Sequence, residues 1–358
     1  MPVIASPVNR RLSVVIGFVL VALMVTLSGV LRSGGYSAEQ AVRALWSGSL
    51  GSWYSITSAT LVRAVPLMLT GCAVAVAFRG GVFNLGAEGQ LIAGAIAATC
   101  IALWRPDAGA FTVIAALVGG ALAGSAWAGI AALLRARFGV LEVISTIMLN
   151  FIALHAVSYL VRGPLQEPSG IYPQSATIAE PLHLSRLPGA GRLHVGLVLA
   201  VVLLFACGLI FRFSSAGFRL RSIGENPTAA ASAGLIDVHR TTLRAFLSSG
   251  ALAGLAGAIE VLGVTYALYE NISPGYGYTA IAVALLAGLD PWRIILSATL
   301  FAALEAGASA MQRDAGIPSS LVSIIEAGLI LAVIGAQALQ ARFPTTVAPL
   351  SEDGGGNE

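Results

Sequence analysis

Gly80-Gly81-Val82-Phe83-Asn84-Leu85-Gly86-Ala87-Glu88-Gly89-Gln90 joins two apolar segments, Tyr54 to Phe78 and Leu85 to Trp104. Glycines, amides and a carboxylate stand where a lipid-facing helix would carry only apolar side chains. There is almost no room for a solvated loop. Irregular polar backbone at membrane depth persists only where protein or an aqueous cavity surrounds it. The run therefore predicts a bundle of membrane helices with a sheltered interior, and it is the first place to look for a path through that bundle.

The rest of the chain agrees. Of 358 residues, 57% are hydrophobic and 10% charged, and the mean hydropathy is +0.85. Soluble domains carry about 25% charged residues. Apolar runs of about 20 residues, enough to cross a hydrocarbon core of roughly 30 Å, recur throughout. The fold class is an all-α polytopic membrane protein. All 20 basic residues are arginine, so the chain has no Walker lysine and no ATP-binding P-loop of the usual kind. A net charge of +3, scattered along the chain, points away from nucleic acid. Cys72, Cys100 and Cys207 fall in apolar runs and read as small packing residues. No His/Cys/Asp/Glu grouping has metal-site spacing and no nucleophile stands beside a base, so neither a metal site nor a catalytic residue is expected.

Candidate spans lie near 12–31, 54–78, 85–104, 109–134, 139–161, 194–213, 243–267, 279–289, 292–311 and 317–338. The apolar run after Arg10 and Arg11 is too long for a typical signal-peptide core and reads as an uncleaved first helix. Ten spans is the preferred count; the short eighth, stopped before Pro291, leaves nine plus a re-entrant segment as the alternative. With the N-terminus inside, twelve arginines fall on the cytoplasmic side and seven outside, three of those in one long outer loop. The positive-inside rule then puts both termini in the cytoplasm. Residues 162–193, with Pro164, Pro168, Pro173, Pro181 and Pro188, read as an extracytoplasmic cap; residues 214–240 read as a structured cytoplasmic loop. The membrane body is 1–340, and 341–358 is a polar tail expected to be disordered.

Dividing ten spans after the fifth leaves two halves that insert with opposite orientation. The glycine-rich run follows the second span inside; Ser273-Pro274-Gly275-Tyr276-Gly277-Tyr278-Thr279 follows the seventh outside. An inverted 5+5 repeat with binding near the midplane predicts such a pair of interruptions.

In the inner loop, Gly224-Glu225-Asn226-Pro227-Thr228-Ala229-Ala230-Ala231-Ser232-Ala233-Gly234 reads as a short helix: Asn226 caps it, Pro227 suits its first position and Gly234 ends it. Here Gly224, Glu225, Asn226, Pro227, Ala230 and Gly234 resemble the coupling loop of ABC importer permeases of the ribose and nucleoside type. Gly81 to Gln90, and Glu142-Val143-Ile144-Ser145-Thr146-Ile147-Met148-Leu149-Asn150, are similar to motifs of the nucleoside branch, and the long proline-bearing loop fits its larger permease. The resemblance runs over about residues 55 to 340. It implies a type II importer fold and a division of labour. An ATPase subunit using ATP and Mg would dock on the coupling loop, and a second, related permease would complete the pore as a heterodimer. An extracytoplasmic lipoprotein would deliver a nucleoside, with a ribose-type sugar as the alternative cargo. This chain would carry no cofactor and catalyse nothing, in the inner membrane of a bacterium.

Phe83, Asn84, Glu88, Gln90, Asn150, Tyr276 and Tyr278 are the candidate pathway residues. Amides can match a nucleoside's ring and sugar groups, and the aromatics can stack on a base. For Asn84, Glu88 and Gln90 the competing reading is capping of a half-helix; for the tyrosines it is the aromatic belt of the interface. Glu142 reads as a carboxylate favourable to a helix N-terminus, and His155 as an interior histidine. In-span Arg63, Glu260, Glu305 and Glu326 are either ties between helices or the carboxylates of a proton-coupled carrier, the competing class.

Overall fold

The computed structural model describes residues 35–328 except 233, 235, 319, 322, 325 and 326. The expected first span, most of the tenth with Glu326, and the polar tail lie outside the described residues. The helices, in order, are α1 (Ala38–Ser49), α2 (Trp53–Arg79), α3 (Ala87–Trp104), α4 (Ala110–Phe138), α5 (Glu142–Val161), α6 (Gly196–Phe213), α7 (Ser215–Glu225), α8 (Pro227–Ser232), α9 (Val238–Thr265), α10 (Tyr276–Leu286) and α11 (Pro291–Ala315). Among the described residues seven of these are long and apolar enough to cross a bilayer, and α10 is a shorter apolar helix. They fall where eight of the ten expected spans were placed. Two features differ: α1 was not foreseen, and the inner loop holds two helices, α7 and α8, rather than one.

The packing logic is that of a membrane bundle. Helices apolar on every side cannot sort their faces by hydrophobicity; they sort by size. On α4 the buried face is Thr112, Ala116, Gly120, Gly124 and Ala128, spaced four apart. Its outward face carries Phe111, Ile114, Val118 and Leu122. Without a hydrophobic force between helices in lipid, small residues that let backbones approach take over the contact. A Cβ on Gly254 of α9 would lie 2.3 Å from the Gly120 carbonyl oxygen, one on Gly94 of α3 would lie 2.1 Å from the Gly254 oxygen, and one on Gly257 would lie 1.9 Å from the Leu91 oxygen. Three backbones therefore meet at glycines, with α3, α4 and α9 locked together. In the best apolar window of each helix, 83% of α2 and 72% of α9 is buried against 22% of α4, so α2 and α9 form the centre.

One end of the bundle is closed by tight, basic turns. The α2 terminus is a Schellman arrangement: Val82 N–H donates to the Ala77 oxygen and Gly81 N–H to the Phe78 oxygen, with Gly81 at φ +67°. The turn between α4 and α5 uses Gly139 at φ +67° and is bridged by Arg135 and Glu142 at 2.9 Å. Glu142 thus sits in the first turn of α5, where the sequence reading put it. At the opposite end, residues 162–195 form a strap rather than a span. Ser175 N–H donates to the Leu268 oxygen, Ile178 N–H to the Tyr266 oxygen and Leu184 N–H to the Leu262 oxygen. The ring of His183 stacks on Tyr266 at 3.8 Å, and Trp53 Nε1 donates to the Gly189 oxygen. His155, expected in the interior, is exposed on α5, and Cys100 is exposed on α3.

Candidate functional site

The quoted run re-enters the bundle. After the α2 cap, residues 82–86 are irregular, and α3 begins only at Ala87, which is buried. A second re-entry, residues 266–275, comes from the strapped end and starts α10 at Tyr276. The two helix starts meet. Gly277 is pressed against the α3 backbone so closely that a Cβ there would lie 2.2 Å from Glu88 N. Glu88 Oε2, only 2% exposed, accepts the Gly277 amide at 2.7 Å. The N-terminal residue of one helix thus caps another helix 189 positions away. A buried carboxylate is costly alone, but two helix N-termini direct their positive ends at this one.

Around Glu88 the other amides close on the same backbone. Asn84 and Gln90 form a reciprocal pair: Asn84 Nδ2 donates to Gln90 Oε1 at 3.2 Å and Gln90 Nε2 to Asn84 Oδ1 at 3.0 Å. Asn84 also accepts from Gly86 N–H and donates to Ser249 Oγ of α9. From α5, Asn150 Oδ1 accepts the Gly89 amide and its Nδ2 donates to the Leu85 oxygen, both at 2.9 Å. Thr146 Oγ1 accepts the Leu85 amide. The amides of Leu85, Gly86 and Gly89, freed by breaking the helix, therefore have side-chain partners, as burial requires.

The candidate pathway residues divide by exposure. Asn84, Glu88, Gln90 and Asn150 are at most 2% exposed and belong to one hydrogen-bonded node; Tyr276 is also buried. Tyr278 is 43% exposed, yet its hydroxyl stands 3.4 Å from Asn150 Nδ2, so it joins the node to open space. Phe83 is exposed and packs edge-on against Phe78 at 5.4 Å. Ser249 was missed by the sequence reading: a serine in a small-residue helix carries no distinguishing signal until α9 is placed against the run. Arg63, Glu260 and Glu305 lie within electrostatic reach of one another and of Tyr276.

The inner loop meets this site through backbone. Gly224 lies so close to the α2 end that a Cβ would be 2.1 Å from the Arg79 oxygen, and one on Gly80 would meet Leu220 at 2.8 Å. In α8, Asn226 Oδ1 accepts the Ala229 amide, Pro227 is the first residue, and Gly234 has φ +69°. Glu225 and Pro227 are exposed and Ala230 is buried. A rigid contact therefore runs from α7 and α8 to Gly80 and Gly81, and from there to Asn84.

A polytopic helical bundle with two re-entrant helix starts meeting inside it, and a surface helix seated on one of the breaks, is the architecture of a membrane transport subunit. Residues 56–334 match the family described as branched-chain amino acid transport system / permease component, and the chain belongs to that family. It is 37% identical over 333 residues to the guanosine ABC transporter permease protein NupP of Bacillus subtilis, covering 92% of this chain and 93% of that one. It is 32% identical over 349 residues to the nucleoside ABC transporter permease protein NupB of Lactococcus lactis, covering 94% and 93%. The glucose ABC transporter permease protein TsgB13 of Haloferax volcanii is 37% identical over 296 residues, covering 80% and 77%. No solved structure matches the chain.

Proposed function

We propose that this chain is the membrane subunit of an ATP-driven ABC importer for nucleosides, forming half of the pathway. The observation that carries the reading is the seat of Gly224 on the Arg79 carbonyl. It joins an exposed surface helix to the re-entrant run by backbone contact, so a displacement of α7 and α8 moves residues 79–84 with it. Rigid-body rocking of helices is the usual way such a push is converted into a change of access. In this reading an ATPase subunit, binding ATP and Mg, docks on Glu225, Asn226, Pro227 and the rest of α8. A second, related permease completes the pore, and a binding lipoprotein docks on the strap of residues 162–195. Both termini are cytoplasmic, and the chain resides in a bacterial inner membrane and performs no covalent chemistry.

The nucleoside cargo is supported by two relatives named for guanosine or nucleoside that cover more than nine-tenths of this chain. A relative named for glucose makes a sugar the second reading. Tyr278 is the first cargo contact: its ring is open for stacking on a base while its hydroxyl touches the amide node. The test is ATP-driven uptake of labelled guanosine by proteoliposomes of the co-purified complex, with glucose as competitor. Gly224→Leu should release the ATPase or abolish uptake while the chain remains folded. Uptake that persists in this variant, or that follows a proton gradient without an ATPase, defeats the coupling assignment; displacement of guanosine by glucose assigns the sugar.

A further inference from the structure

Where α2 and α6 end and α11 begins, three guanidinium groups converge on a small cavity that the transport reading does not use. It is about 230 Å³ and is walled by Arg79, Arg212, Arg221, Gly208, Phe211, Asp290, Pro291 and Trp292. The arginines come from three helices, and two of them, Arg79 and Arg212, stand over aromatic faces. The Arg79 guanidinium stands 4.9 Å from the Phe211 ring centre, and that of Arg212 stands 5.7 Å from Phe213 and 6.0 Å from Trp292.

Three positive charges there face a single acid, leaving a net excess of about two. Asp290 is the one acid on the wall, and its Oδ1 is engaged in capping α11 through the Trp292 amide at 2.9 Å. Among the described residues none of the three arginines closes a salt bridge. Arg79 is half-buried; Asp290 acts on it as an opposite charge and Arg221 as a weaker like charge. The indole N–H of Trp292 is buried with no hydrogen-bond partner and lies against Gly208, another wall residue. Like charges brought together are an arrangement that a multivalent oxygen anion would complete, and planar guanidinium forks suit the oxygens of phosphate, whose multiple charge answers more than one of them.

We infer that this cavity binds a phosphate group, ligated by Arg79, Arg212 and Arg221. It lies where the apolar helices α2 and α6 end, at the basic end of the bundle, so an anionic phospholipid is one source and soluble phosphate the other. Bound there, the anion ties the ends of α2 and α6 to α7, beside the Gly80–Gly224 contact.

The test uses the full-length chain, delipidated in a neutral detergent. Phosphatidylglycerol and phosphatidylcholine are titrated and scored by native mass spectrometry, and inorganic phosphate is scored by thermal shift. Phosphatidylglycerol should bind at least tenfold more tightly than phosphatidylcholine. Each exposed arginine should contribute about fivefold, so Arg212→Gln with Arg221→Gln should abolish a preference of up to about 25-fold. If the double variant is not recovered folded, each single variant should lose about fivefold. Stabilisation by inorganic phosphate that the variants abolish, without a lipid preference, supports the site and assigns its occupant as a soluble anion. A lipid preference that survives the substitutions, or no lipid preference together with no phosphate effect, overturns the inference.

Discussion

Replacing Glu88 tests the meeting of the two helix starts directly. In the native chain its Oε2 accepts the Gly277 amide at 2.7 Å in a site 2% exposed. A hydrogen bond to a charged group contributes about 1.5–3 kcal/mol, and an amide left buried without a partner costs about 1–3 kcal/mol. Relief of the buried charge offsets part of this loss. Glu88→Ala should therefore destabilise by about 2 kcal/mol. Glu88→Gln retains an acceptor but loses the charge that answers two helix N-termini, and should cost about 1 kcal/mol. At about 2–4 °C per kcal/mol the expected falls in unfolding temperature are roughly 4–8 °C for Ala and about half that for Gln. The buried thiol of Cys72 supplies the assay: in a Cys100→Ala, Cys207→Ala background, reaction with a fluorogenic maleimide on heating reports the opening of the interior. An Ala variant that opens with the wild type, or one more stable than the Gln variant, would refute the reasoning, because the carboxylate would then not be holding α10 to α3.

The glycine contacts predict opposite signs on neighbouring helices. Gly254→Ala places a methyl 2.3 Å from a backbone oxygen of α4, and overpacking of this kind costs about 1–3 kcal/mol. Gly129→Ala meets only the flexible end of Leu247 at 3.3 Å and gains helix propensity, so it should be neutral or stabilising by up to about 1 kcal/mol; equal effects in the thermal assay would contradict the packing account. His194, in the loop before α6, is fully buried against Gly196 and Gly263, and burial depresses its pKa from 6.5 to about 4. The unfolded chain binds this proton first, so the contribution is whole above pH 6.5 and is lost as pH falls towards 4, a swing of about 3 kcal/mol. His194→Gln should flatten that part of the stability–pH curve, and an unchanged slope would remove His194 as its cause.

How much of this was legible beforehand differs from element to element. The spans were, because an apolar run long enough for the hydrocarbon core is a one-dimensional signal. The α8 cap was, because Asn226, Pro227 and Gly234 act within a few residues of one another. Helix α1 was not: its Ala41 and Ala44 become a buried face only once Gly48 and Leu45 have Ala310 and Gly307 of α11 to pack against. Glu88, Gln90 and Asn84 were singled out as polar groups that either line a path or cap a half-helix, two readings that fitted them equally, and Asn150 as a cavity residue or an interhelical tie. Their hydrogen bonds now account for helix capping, and any contact with cargo rests on the proposal for Tyr278 and Phe83.

What the chain's own order determined, then, was where polar backbone enters the membrane: Gly80 to Gln90 and Ser273 to Thr279 both announce themselves by composition. That these two interruptions meet, with Glu88 of one closing on Gly277 of the other, was decided only in three dimensions. Glycine faces on α3, α4 and α9 allow their backbones to touch, and that approach sets the depth at which α3 and α10 begin. Partners so far apart in sequence leave no local trace, since the hydrogen bond between them exists only after the helices that carry them have packed.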